Sequence, residues 1–281
     1  MFSNDFSLID MLYNNQDLEI CEYNLTDCRS LLKFNGNQKH EINIKIFNET
    51  IQYVFQFLMK MNEIENNTSY TILGNSYNIG IIIKGQQLKN INFKIPISYL
   101  QINDNIIINN NYIDWYDIKK NVLSFTQRDD NIRMNLHQIL YNETTNINNI
   151  LFIGGEFYAF GKIINYKKAI GITDFEGLRK DALLNNPQML TFKVDYSTVN
   201  IIEIIEDLPI KTCVVNVLNG LGKNIIIQLN SLKLDKLIII NCKPKVMIED
   251  HKYIEMKLKK EYILKTSSQE LKIFIYENNE L

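Results

Sequence analysis

The chain has 281 residues, 46% of them hydrophobic and 22% charged, a globular composition long enough for one large or two ordinary domains. A net charge of −2 supplies no global basic field of the kind that announces nucleic acid, DNA included, and no apolar run approaches the length of a membrane span. Four cysteines without a CxxC pair, an iron–sulfur cluster of thiols or a histidine at zinc-finger spacing point to no metal site; with no basic–apolar leader, they point to a reducing, cytoplasmic setting.

In chain order, Leu8, Ile9, Met11 and Leu12 suggest a short helix. His40 to Phe47 alternates like a strand, and Thr50 to Met61 carries apolar residues at helical spacing. Ser69 to Gly85 reads as a hairpin around Gly74-Asn75, and Asp104 to Trp115 as a strand pair around an Asn-rich turn. Together these describe a small α+β domain, placed at residues 1–118, with residues 119–281 forming a second domain.

The second domain alternates strand and helix. Arg128 to Tyr141 is an amphipathic helix with Ile132, Leu136, Ile139 and Leu140 on one face. Strands are expected at Ile150–Ile153, Ala169–Thr173, Thr191–Val194, Cys213–Val217 and Leu237–Ile240, with helices at about Phe175–Leu184 and Ile225–Leu232. Glu261–Lys265 and Leu271–Tyr276 close the chain as two strands around a tight turn. Repeated βα units ending in a hairpin describe an α/β, doubly wound sheet with an antiparallel edge.

The most informative stretch is Lys236 to Pro244, KLIIINCKP. A fully apolar strand ends at Asn241, and Pro244 forces the chain to leave in an extended or turn geometry, so Cys242 sits at a strand's carboxyl end. Open α/β sheets place their ligands there. Gly154-Gly155 after the first strand of this domain would let a ligand approach the backbone, or form a simple turn. Thr173 and Asp174 close the second strand, where nucleoside sites use a carboxylate for ribose hydroxyls. The basic residues Lys252, Lys257, Lys259 and Lys260 form either a solvated helix face or a phosphate-contacting surface.

Four ordered stretches resemble the RNA uracil-5 methyltransferases, most of all the branch that methylates the T-loop uridine of tRNA. They are YID with SFTQ (Tyr112–Asp114, Ser124–Gln127), LFIGGEFYAFGKIINYKKAIGIT, CVVNVLNGLGK followed by KLIIINCKP, and SSQELKIFIYE. The resemblance implies a class I (Rossmann-like) methyltransferase domain using S-adenosylmethionine (SAM), preceded by an RNA-binding domain, and a monomer acting on the tRNA T-arm. It makes Cys242 the nucleophile and Glu270 the general base. Gln127 would contact the methionine end of SAM, with Phe152, Gly154 and Phe157 in the cofactor loop, Thr173 at the ribose and Asn216 in the segment that the family writes Asp-Pro-Pro-Arg. The chemistry needs the pair. Uracil C5 attacks a methyl sulfonium only after a thiolate adds to C6, and the C5 proton must then be taken by a base.

The chain departs from the family pattern at Glu156, where the family has glycine, at Thr173 for an acid, at Asn216-Val217-Leu218-Asn219, and at Ser268 for a histidine. Two functions are consistent with this: a working SAM-dependent methyltransferase, or a methyltransferase-shaped RNA-binding, tRNA-folding or scaffold protein.

Overall fold

The computed structural model describes residues 130–217, 220–241, 251–266 and 270–278. Before them it describes 10–11, 30–35, 44–45, 58, 67–75, 78–85, 97–110, 112–114, 118–121, 124 and 127. Residues 1–128 and 129–281 form two compact units.

In the first unit the described strands are β1 (Asp10–Met11), β2 (Ser30–Asn35), β3 (Ile44–Lys45), β4 (Ser69–Asn75) and β5 (Asn78–Lys84). They are followed by β6 (Tyr99–Ile102), β7 (Asn105–Asn109), β8 (Tyr112–Asp114) and β9 (Ile118–Lys120). Five of them make a sheet in the order β2-β4-β5-β6-β7, in which only β5 and β6 run parallel. Its buried face follows from alternation: Tyr70 pairs with Ile83 and Ile72 with Ile81, and all four are buried. The expected hairpin at Ser69–Gly85 is present, but Asn75 pairs with Asn78, so the turn falls later than Gly74-Asn75.

Two expectations are corrected here. Met11 lies in β1, paired with β3, and not in a helix. Asp104–Trp115 is not a strand pair of its own: β7 folds back on β6 and β8 pairs with β9. The reversal before β7 uses Asn103 at φ 51°, a left-handed conformation that asparagine tolerates. Thus the turn sits at Asn103-Asp104 and not in the later Asn run. Leu8, Ile9, Leu12 and all of the 50–61 stretch except Leu58 lie outside the described residues.

The second unit runs α1 (Asp130–Glu143), β10 (Ile147–Gly154), α2 (Phe157–Ile163), β11 (Tyr166–Thr173), α3 (Glu176–Asn185) and β12 (Leu190–Lys193). It continues with α4 (Ile201–Ile205), β13 (Thr212–Asn216), α5 (Gly222–Ser231), β14 (Lys236–Asn241), β15 (Lys257–Lys265) and β16 (Glu270–Glu277). Seven strands form one sheet in the order β12-β11-β10-β13-β14-β16-β15. The first five are parallel; β16 runs antiparallel to β14, and β15 to β16. β10 and β13 are neighbours although β11 and β12 intervene in sequence, so strand order reverses between them.

Helices cover both faces, which is why the central strands read as unbroken apolar runs. On one face Leu151, Ile153, Ile170, Ile172, Cys213, Val215, Leu237 and Ile239 pack with Ile201 and Ile205 of α4 and Ile225, Ile226 and Leu229 of α5. On the other, Phe152, Val214, Ile238 and Ile240 are buried, and the Phe157 ring of α2 lies over Gly171. A Cβ on Gly171 would come within 2.5 Å of Phe157 Cε2.

Lys257, Lys259 and Lys260 lie on the edge strand β15, exposed, which corrects the helix-face expectation for this segment. Lysines on an edge strand discourage pairing with another chain. The amino end of the sheet is tied to α1 by Glu143, whose Oε1 accepts hydrogen bonds from Lys260 Nζ and Tyr262 Oη at 2.7 Å each. Lys236 Nζ stands 3.6 Å from its Oε2.

Candidate functional site

The carboxyl ends of β11, β10, β13 and β14 line one edge of the sheet, and β16 begins at that edge because it runs antiparallel to β14. The site is built from this edge inward. β10 ends at Gly154, which pairs with Asn216 of β13 and has φ +100°. A Cβ there would lie 2.7 Å from the Asn216 carbonyl carbon and 2.7 Å from Val217 Cγ1, so only glycine fits. The next amide, Gly155 N–H, donates to the Asn216 carbonyl at 2.6 Å.

Glu156 follows in a left-handed conformation, φ 60° and ψ 3°, at 1% exposure. Its Oε2 accepts a hydrogen bond from Asn216 Nδ2 at 3.2 Å. One asparagine, itself 4% exposed, therefore ties the loop after β10 to β13 through both its backbone and its side chain. The sequence marks Glu156 as a departure from the family pattern, but its partner lies sixty positions away and only the sheet order brings the two together.

At the end of β11, Thr173 is fully buried, and its Oγ1 accepts from the Phe175 N–H at 3.2 Å. The Tyr196 hydroxyl meets Thr173 as well and donates to the Ile172 carbonyl at 3.4 Å. Burial, and then the charge of Asp174, push this phenol well above its usual range. Tyr196 carried no signal in the sequence. Asp174 is exposed, and Phe175 presents its ring at 38% exposure beside Gly177.

At the other side of the site, Asn241 ends β14, fully buried, and pairs with Lys272. Cys242, the next residue in the chain, lies outside the described residues. Glu270 opens β16, two residues before Lys272, with its carboxylate partly exposed and 3.5 Å from Lys265 Nζ. Gly154, Asn216, Thr173 and Glu270 thus lie along one edge. Phe152 and Phe157 are core side chains: Phe152 is fully buried, its ring 6.1 Å from that of Tyr166, and Phe157 covers Gly171. Gln127 is fully buried and belongs to the first unit. Among the described residues no group of three or more His, Cys, Asp or Glu is placed to hold a metal ion, and no helix is long and apolar enough to cross a membrane.

No family model matches the sequence, and no curated protein matches it. Solved structures do. The crystal structure of the Pyrococcus abyssi tRNA (uracil-54, C5)-methyltransferase in complex with S-adenosyl-L-homocysteine is similar over 89% of this chain and 76% of its own, with a TM-score of 0.62 and 13% identity. The chain contains a class I methyltransferase fold. At that identity the likeness is one of fold. More partial matches are M. capricolum TrmK with S-adenosyl-homocysteine (15% identity, 51% of this chain and 68% of that one, TM-score 0.39) and the N-methyltransferase NodS from Bradyrhizobium japonicum WM9 (10%, 54% and 99%, TM-score 0.45).

Proposed function

We propose that this protein is a SAM-dependent tRNA methyltransferase that methylates C5 of a T-loop uridine, working as a monomer on the tRNA T-arm. The observation that carries the reading is the pairing of Asn241 with Lys272. It sets the strand that ends one residue before Cys242 beside the strand that Glu270 opens, which supports the nucleophile and base that the resemblance implies. The likeness in fold to a tRNA (uracil-54, C5)-methyltransferase, over 89% of this chain, supports the same reading.

The residues at the sheet's reversal fit a SAM-type cofactor. Gly154 lets β10 approach β13 closely, and the hydrogen bond from Gly155 to the Asn216 carbonyl fixes the turn at the reversal of strand order, where such sheets take ligands. Gly154 and Asn216 would hold the cofactor there, supported from the core by Phe152 and Phe157, while Thr173 shapes the turn into Asp174. When bound, the cofactor supplies a methyl group as an electrophile.

The chain's own residues do the rest. The Cys242 thiolate would add to uracil C6, breaking the C5–C6 double bond and moving its electron pair to C5, where the new bond to the methyl carbon forms as the methyl–sulfur bond breaks and leaves its electron pair on sulfur. The Glu270 carboxylate then takes the C5 proton, the double bond re-forms, and the thiolate leaves. The target base must leave its stack to reach the thiol.

The alternative is an RNA-binding or tRNA-folding scaffold without catalysis, and the engagement of the Thr173 hydroxyl within the protein is the observation on its side. A T-arm RNA carrying 5-fluorouridine separates the two. Fluorine cannot leave as a proton, so a working enzyme stalls as a methylated covalent complex visible by intact mass. An adduct that requires SAM and disappears in Cys242→Ala is expected. RNA bound only reversibly, with no adduct, would refute the enzyme reading.

A further inference from the structure

β15 is the outer strand of the seven-stranded sheet, paired with β16 on one side only. Residues 252–272 carry six lysines against three glutamates in a chain whose net charge is −2, so positive charge is concentrated here. Three of these lysines are matched: Lys260 Nζ lies 2.7 Å from Glu143, Lys272 Nζ 2.9 Å from Glu261 and Lys265 Nζ 3.5 Å from Glu270. Lys257 and Lys259 are exposed, and among the described residues neither has an acid within ion-pair distance. The register of β15 slips at Lys259, which faces no residue of β16. Such a bulge by itself blunts a sheet edge, so two further unmatched lysines exceed what protection of the edge requires.

The strand also has a direction. It pairs Lys257 with Glu277 at one end and Lys265 with Glu270 at the other, so it leads to the edge where Glu270 opens β16. At about 3.3 Å per residue that path is roughly 26 Å long, over which a nucleic-acid strand presents several phosphates.

We propose that the outer edge of β15 is a phosphodiester contact, along which the backbone of the RNA substrate lies with Lys257 and Lys259 at its phosphates. The proposal rests on the tRNA reading above. Lysine meets phosphate as a point charge and releases counterions whatever the base sequence. The open N–H groups of an edge strand are further donors to phosphate oxygens. The use of such contacts is orientation: they fix the register of the RNA and carry no sequence information, so the uridine is chosen elsewhere.

Fluorescence anisotropy with an unmodified T-arm RNA hairpin, read across a series of salt concentrations, tests this on the full chain. The variant Lys257→Gln/Lys259→Gln is compared with the parent and with Lys167→Gln/Lys168→Gln, which removes the same charge from the exposed start of β11. The β15 variant should bind about tenfold more weakly at about 0.1 M salt, with the slope of log affinity against log salt shallower by about two. Its affinity for SAM, by calorimetry, should equal the parent's, and the β11 variant should keep the parent's slope. Lys257→Glu/Lys259→Glu keeps the edge charged against self-association and should weaken RNA binding further. An unchanged slope in both β15 variants overturns the proposal, makes these lysines edge protection alone, and leaves the tRNA reading intact. So does an equal loss in the β11 variant, which would make the effect one of net charge. If the parent, shown by circular dichroism to be folded, binds no T-arm RNA, the tRNA reading fails and this inference fails with it.

Discussion

Replacing Gly154 by alanine tests whether the loop at the sheet's reversal is locked as tightly as its geometry states. Two effects add. The positive φ costs an L-residue about 1–2 kcal/mol. The new Cβ, 2.7 Å from the Asn216 carbonyl carbon and from Val217 Cγ1, must push β13 away, an overpacking cost of about 1–3 kcal/mol. That shift also loosens the Gly155–Asn216 hydrogen bond, worth about 1 kcal/mol. Gly222 is the internal control: its φ is +72°, but nothing lies within 4 Å of where its Cβ would be. Gly222→Ala should therefore cost the backbone share alone, about 1–2 kcal/mol, while Gly154→Ala should cost about 3–6 kcal/mol, a large part of a typical domain's stability. Both glycines lie in the second unit, so urea unfolding followed by far-ultraviolet circular dichroism reports them on the same transition. If Gly154→Ala costs no more than Gly222→Ala, the close approach of β10 to Asn216 is not what the geometry states.

Two pH-dependent predictions follow from buried groups of α1. Burial, and then the positive charge of Arg133, push His137 down to about 3, with its ring edge-on to Phe160 at 6.0 Å. The unfolded chain therefore gains a proton near pH 6.5 that the folded chain refuses until about 3, and stability falls through that window by up to about 1.4 kcal/mol per pH unit. His137→Leu should flatten the urea midpoint between pH 7 and pH 5; an unchanged slope would refute the assignment. For Glu143, burial alone would raise the carboxyl, but hydrogen bonds from Lys260 and Tyr262 and the charges of Lys260 and Lys236 outweigh it and hold the group below its usual value. Its contribution is present above the unfolded value and is lost as pH falls through the lower folded one. Glu143→Gln should cost about 1–2 kcal/mol at pH 7, discounted for the half-exposed Lys260, and the two proteins should converge in acid. A constant difference at every pH would show that the ion pairs contribute nothing.

Much of the second unit was legible because its strands are buried on both faces. Runs such as Leu237–Ile240 or Cys213–Val217 announce themselves without alternation when helices cover both sides. β15 was legible only in its second half: as an edge strand with lysines exposed along it, Lys257–Lys260 carries no period that separates strand from helix. The Asn-rich stretch misled for a related reason. Asparagine favours turns wherever it stands, so composition could not say that the chain reverses at Asn103 and that β7 and β8 join different partners.

The sequence by itself determined the five strands between residues 150 and 240, the helices after the second and fourth of them, the antiparallel close of the chain, and the residues whose resemblance suggests a nucleophile and a base; the short helices Phe157–Ile163 and Ile201–Ile205 it did not place. These depend on local pattern and spacing, which the order of residues carries directly. Tertiary structure alone decided that β13 inserts beside β10, that Asn216 reaches back to Gly155 and Glu156, and that Tyr196 closes over Thr173. Each of those contacts joins residues more than twenty positions apart. Their partners are chosen by how strands order within the sheet, and no local period encodes that order.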